Sequence, residues 1–306
     1  VRTKNQQAYN TTLRSATPHL CLTPLKQSSA YLLIFHGSRD PRPQAATNSL
    51  SQLIAERLSS PERIGFNPAS TVENICTERS RVNSLSKIGT TGSLTTSTLP
   101  LSAFPFPLVG TAMLELAPQP LYQQITEFGN RALKANYDHV RVLPLFLLPG
   151  VHVMEDIPAE VAIAQQALGH QLTIHLCPHL GSHPQIATLF AKSANHLSSA
   201  AKILVSHGTR RVAGNQPVEA IAAQIGALPA YWSREPRLES QVAALIQKGC
   251  QDIVILPYFL FTGGITDAIA QTLEVLSRQF PRVRLSLADP LSASTELADL
   301  VIDLIH

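Results

Sequence analysis

Histidine closes two apolar runs in this chain, "YLLIFHGSRDPR" at residues 31–42 and "KILVSHGTRR" at 202–211. A buried strand ending in His-Gly presents an imidazole at the carboxyl edge of a parallel sheet, where α/β proteins bind ligands. Gly37 lets the backbone turn tightly after His36, and the helix that follows can offer amide N–H groups to an anion. Ser38, Arg39 and Arg42 add polar and positive groups beside His36, as Arg210 and Arg211 do beside His207.

A second imidazole, His152, follows the run "LPLFLLPG" and its Pro-Gly turn, so it projects from the same edge as His36. Neutral imidazole is a borderline ligand suited to Fe, Co, Ni or Zn. Glu115, in "TAMLELAPQP", is the first acid after a stretch without any from Arg79 onward. Alone it reads as a solvated helical glutamate, in an apolar segment that leads into a helix. With His36 and His152 it completes a set of two histidines and one carboxylate, able to hold a divalent metal or to move protons. Asp156-Ile157-Pro158 has the form of a helix start, with Asp156 as cap and Pro158 in the first turn, which gives Asp156 and Glu155 a structural role. His170, His175, His179 and His183 crowd "GHQLTIHLCPHLGSHP" without a zinc-like spacing and are read as loop and surface histidines.

The elements that must position these groups alternate. Strand-like runs occur at 31–35, 139–148, 172–176, 202–206, 252–261 and 283–287, most of them continuously apolar, as for strands buried on both faces of a parallel sheet. Helix-like segments separate them, so the fold class is α/β with right-handed crossovers. The plan repeats: apolar run, HGSR, helix, "VRVLPLFLLPGVHV", then apolar run, HGTR, helix, "DIVILPYFLFTGGIT". Two Rossmann-like lobes facing each other across a cleft follow from that duplication. In the second copy Ile265 stands where His152 stands in the first. The chemistry therefore belongs to the first lobe, while His207, Arg210 and Arg211 serve the cleft as anion contacts.

The 306 residues suffice for two such lobes, and a net charge of +3 with pI near 8.7 suits an anionic small molecule. Few aromatics and no basic block argue against nucleic acid, and no apolar run reaches the roughly 18 residues of a membrane span. Cys21, Cys76, Cys177 and Cys250 stand apart, as reduced thiols do in a cytoplasmic protein. Residues 1–29 carry Arg2, Lys4, Arg14 and Lys26 but no acid, and are read as a disordered or upstream extension rather than a transit peptide. The span from His36 to Pro144 is more than twice that from His207 to Pro257. The surplus, rich in Ser and Thr near 60–108, is expected to be a disordered insertion in the first lobe. The lobes then cover 30–199 and 200–306, in a monomer or weak dimer.

Together, "LLIFHGSRDPR", "LELAPQP", "VLPLFLLPGVHVMEDIPAEV", "ILVSHGTRR" and "VILPYFLFTGG" resemble the sirohydrochlorin chelatases, the CbiX/SirB family of class II tetrapyrrole chelatases, in its long two-lobed form. The resemblance covers nearly all of residues 30–306 outside the insertion. It implies insertion of Co2+ or Fe2+, the metal substrate, into sirohydrochlorin on the way to cobalamin or siroheme, with no organic cofactor. It also implies that His36 and His152 handle the metal, with Glu115 as acidic partner. Ser38, Arg39, Arg42, His207, Arg210 and Arg211 would meet the carboxylates of the macrocycle. Two hydrolytic readings fit less well. Histidine phosphatases place an arginine before the histidine, where this chain has Phe35, and Ser38 lacks the G-x-S-x-G elbow. A non-catalytic metal or tetrapyrrole carrier on the same fold is the alternative from another class.

Overall fold

The computed structural model describes residues 29–59, 107–192, 201–209 and 213–306. The expected N-terminal extension and insertion, apart from a residue or two at their edges, lie outside the described residues, as do Arg210 and Arg211. No helix among the described residues is long and apolar enough to cross a membrane.

Among the described residues, eight strands form two parallel sheets. In the first, β1 (Ala30–Phe35), β2 (Val109–Met113), β3 (His139–Pro144) and β4 (Thr173–Leu176) take the order β2-β1-β3-β4. In the second, β5 (Ala201–Ser206), β6 (Ala227–Tyr231), β7 (Asp252–Pro257) and β8 (Arg284–Leu287) repeat it as β6-β5-β7-β8. The helices are α1 (Pro41–Leu58), α2 (Leu121–Lys134), α3 (Ile157–Leu168) and α4 (Ile186–Lys192) in the first lobe. Those of the second are α5 (Gln216–Gln224), α6 (Leu238–Gln247), α7 (Gly264–Gln279) and α8 (Thr295–Ile305). Strand order reverses between β1 and β3, and the crevice at such a switch point is where open α/β sheets take their ligands.

Two strands, β2 and β6, escape the sequence pattern. Both are sheet edges, and Gly110 and Pro229 weaken their strand signal in the way edge positions allow. The segment around Glu115 is accordingly no helix. β2 ends at Met113, and Leu114 to Pro120 form a loop before α2. The runs expected at 139–148 and 252–261 leave the sheets at Pro144 and Pro257, and their continuations meet, the Tyr258 hydroxyl donating to the Leu147 carbonyl at 3.3 Å.

β1 alternates between two cores. Ala30, Leu32 and Ile34 face α2 and α3, whereas Tyr31, Leu33 and Phe35 share one continuous interior with Leu204, Val254 and Leu256 of the second sheet. Into that shared interior α8 crosses over, lying against α1 and β3, with Arg57 of α1 bonded to Asp299 of α8. Helix α4 also reaches toward the second sheet, its Phe190 ring lying 4.6 Å from that of Tyr258. The two lobes are thereby fixed against each other by buried apolar surface, the dominant stabilising term in folding.

Candidate metal centre at the edge of the first sheet

His36 is the first residue beyond β1. Its carbonyl accepts the Glu115 N–H at 2.9 Å, and the carbonyl of Phe35 accepts the Leu114 N–H at the same distance. The β1–β2 ladder thus runs on past both strands and sets His36 beside Glu115. Gly37 makes the approach possible: its φ is +98°, and a Cβ there would stand 2.1 Å from the Glu115 carbonyl oxygen. His152 arrives from the other side of β1. The chain leaves β3 with Leu145 N–H bonded to Ile34, turns through Pro149-Gly150, and enters one π-helical turn, His152–Asp156, that runs directly into α3. Such turns are rare and concentrate at functional sites.

The three side chains converge. His36 Nδ1 lies 3.8 Å from Glu115 Oε2, and His152 Nε2 lies 3.9 Å from Glu115 Oε1. The imidazoles meet edge to face with centroids 4.9 Å apart, each 6.2 Å from the ring of Phe146. One donor atom from each ligand lies within 4.8 Å of the others, and no other group of three such residues does so among the described residues. Donors that share one ion at about 2.1 Å stand about 3–3.5 Å from each other, so small side-chain rotations close the set on a metal. His36 and Glu115 are half exposed and His152 is 34% exposed, which leaves the set open to a large partner.

Asp156 is the residue the sequence misplaced. Its backbone is helical (φ −68°, ψ −52°) and its side chain makes no cap bond; instead Oδ2 lies 2.7 Å from His152 Nδ1. The His-x-x-x-Asp spacing, four residues along a helix, was the available signal. Two apolar residues also went unread. Leu116, held at φ +64°, is 57% exposed beside Glu115, and Met154 is 63% exposed beside His152.

Of the other expected site residues, Ser38, Arg39 and Arg42 follow His36 at this edge, and His207 follows β5 at the edge of the second sheet. The Ser38 hydroxyl accepts the Asp40 N–H at 3.0 Å, and Asp40 caps α1. Arg39 is exposed. Arg42 is bonded to Asp40 and, across the lobes, to Asp267 at the start of α7, which holds both carboxyls below their ordinary range. His207 is exposed, and its carbonyl accepts the Ser233 N–H at 3.0 Å. Serine therefore stands in the second lobe where Glu115 stands in the first, as Ile265 does for His152. Among the four crowded histidines, His183 is buried and its Nδ1 accepts the Gln185 N–H at 3.1 Å, and burial lowers the pKa of His179.

Comparison with known proteins agrees with this architecture. Residues 101–197 and again 201–306 match the family model CbiX. A curated sirohydrochlorin cobaltochelatase of Priestia megaterium is 25% identical over 165 residues, 49% of this chain and 54% of that protein, so the chain spans about half the length of this relative. SirB from Bacillus subtilis with Fe3+ superposes with a TM-score of 0.64 at 16% identity, over 91% of this chain and 94% of that one. SirB from Bacillus subtilis subspecies spizizenii in complex with cobalt gives 0.57 at 17% identity over the same shares. CbiX, the terminal enzyme for biosynthesis of siroheme in denitrifying bacteria, gives 0.51 at 16% identity, over 90% and 97%. The structures share the two-sheet fold, the two matched spans correspond to its two halves, and the chain belongs to the CbiX family.

Proposed function

We propose that this chain is a sirohydrochlorin chelatase that inserts Co2+ or Fe2+ into the macrocycle at the His36–Glu115–His152 set. The convergence of those three ligands on the open edge of the first sheet carries the reading. Metallation exchanges one divalent ion for two pyrrole N–H protons, so the site must bind a hydrated ion, shed its water, pass it on and take up protons. Imidazole binds such ions and accepts protons near neutral pH, and Glu115 balances charge or relays the protons. Leu116 and Met154 offer an apolar shoulder to a flat ring beside the ligands. Ser38, Arg39, Arg42, His207, Arg210 and Arg211 are assigned to the carboxylates of the substrate, with Arg42 acting from its place between Asp40 and Asp267.

The test is the optical spectrum of metal-free sirohydrochlorin under anaerobic conditions with Co2+ or Fe2+, for the wild type and His152→Ala. The wild type is expected to accelerate the band shift of metallation and the variant to lose that acceleration. If neither protein exceeds the uncatalysed rate with either metal, the chelatase reading fails and a carrier role replaces it.

A further inference from the structure

Among the described residues, His152 is the only member of the ligand set with a carboxylate in hydrogen-bond range. Its Nδ1 lies 2.7 Å from Asp156 Oδ2, while its Nε2 faces Glu115 Oε1 at 3.9 Å. An ionised carboxylate can only accept, so the proton of this bond resides on Nδ1. In the neutral ring the lone pair then lies on Nε2, the nitrogen turned toward Glu115 and His36. We infer that Asp156 is the positioning residue of the metal centre: it fixes the tautomer and the ring plane of His152, so that Nε2 meets the incoming ion as a ready donor. This rests on the metal-handling reading of the site given above.

Two observations set this role apart from a structural one. Asp156 has the sequence signature of a helix cap but bonds no amide at the start of α3, so the helix does not depend on its side chain for capping. The π-helical turn, closed by the Ile157 N–H on the His152 carbonyl, brings residues 152 and 156 onto one face, with Glu155 left exposed. Among the described residues, His36 has no such support. The carboxylate within 4 Å of its ring is Glu115, itself a member of the set. The two histidines are therefore unequal: a carboxylate outside the set holds His152, and none holds His36 among the described residues.

The experiment is anaerobic calorimetric titration with Co2+ alone, without tetrapyrrole, on the wild type, Asp156→Ala, Asp156→Asn and His152→Ala. Ring 15N shifts of His152 and melting temperatures are recorded alongside. Loss of a carboxylate behind a ligating histidine lowers metal affinity about 10–100-fold, the loss expected for Asp156→Ala. His152 should also shift toward the Nε2-protonated tautomer while the melting temperature holds. Asp156→Asn keeps an acceptor oxygen within reach and should recover most of the affinity. Unchanged Co2+ affinity in Asp156→Ala, or asparagine no better than alanine, overturns the inference while leaving the metal centre intact. Equal Co2+ binding by the wild type and His152→Ala overturns both.

Discussion

Replacing Gly37 by alanine tests whether one backbone contact holds the ligand set together. At φ +98° an L-residue carries roughly 1–2 kcal/mol of strain, since its Cβ crowds the backbone outside the right-handed regions. The added methyl would stand 2.1 Å from the Glu115 carbonyl oxygen, so the 115 backbone must retreat by about 1.3 Å or more to restore ordinary contact. That retreat breaks or stretches the Leu114–Phe35 and Glu115–His36 hydrogen bonds, each worth about 0.5–1.5 kcal/mol. The sum is about 2–5 kcal/mol, or about 4–20 °C in melting temperature at about 2–4 °C per kcal/mol for a chain of this size. Glu115 moves with its backbone, so Co2+ affinity should fall as well. Gly208→Ala is the matched control: φ is +78° and the new methyl meets the Tyr231 Cβ at 2.8 Å, in the lobe without the ligands. It should melt lower yet bind Co2+ normally. Gly150→Ala, with nothing within 4 Å of its Cβ, should leave both unchanged. Scanning calorimetry and Co2+ titration read all three. Gly37→Ala with wild-type affinity, or Gly208→Ala with affinity lost, refutes the reasoning.

Two further outcomes follow from groups outside the ligand set. Among the described residues the buried Ser206 hydroxyl has no hydrogen-bond partner, so Ser206→Ala should raise stability by about 1–3 kcal/mol in chemical denaturation; a fall would show that the hydroxyl is bonded in solution. Hydrogen bonds from Arg42 lower the carboxyl pKa values of Asp40 and Asp267, so the stability they contribute is complete above the unfolded-state value near pH 4 and disappears as pH falls through the lower folded-state values. The melting-temperature gap between the wild type and Arg42→Ala should hold steady through neutral pH, close below about pH 4 and narrow in high salt. A gap that widens on acidification would reverse the sign of the linkage.

How much of this was legible depended on how far each strand's apolar run goes without glycine or proline. β1, β5 and β7 are centre strands whose apolar runs admit one reading, and the His-Gly ends of β1 and β5 followed from them. β2 and β6 were hidden because Gly110 and Pro229 interrupt them, as edge strands tolerate, whereas the edge strands β4 and β8 contain neither residue and were read. That cost the local setting of Glu115, which stands at a strand end rather than on a helix. Asp156 was ambiguous for a different reason: the same Asp-x-Pro serves a cap or a histidine partner, and only the backbone angles separate them. The shared core was out of reach altogether. Tyr31, Leu33 and Phe35 read as one face of a strand, and nothing in the pattern names the second sheet as their partner.

The duplication accounts for the asymmetry of the site. Both lobes keep the same backbone device, a positive-φ glycine after the histidine and a carbonyl-to-amide bond from that histidine to the end of the neighbouring strand. What differs is the side chains hung on it: glutamate or serine at 115 and 233, histidine or isoleucine at 152 and 265. Counted from Pro144 and Pro257, Met154 of the first lobe corresponds to Asp267 of the second. That aspartate reaches back across the lobes to Arg42, which also bonds Asp40, the cap of α1, while Ser38 accepts the amide of Asp40. The loop that carries His36 is thus tied to the second lobe through a position that carries an exposed methionine in the first. The copy without the ligands is not idle, because one of its counterpart positions, Asp267, holds the loop from which the other copy presents its histidine.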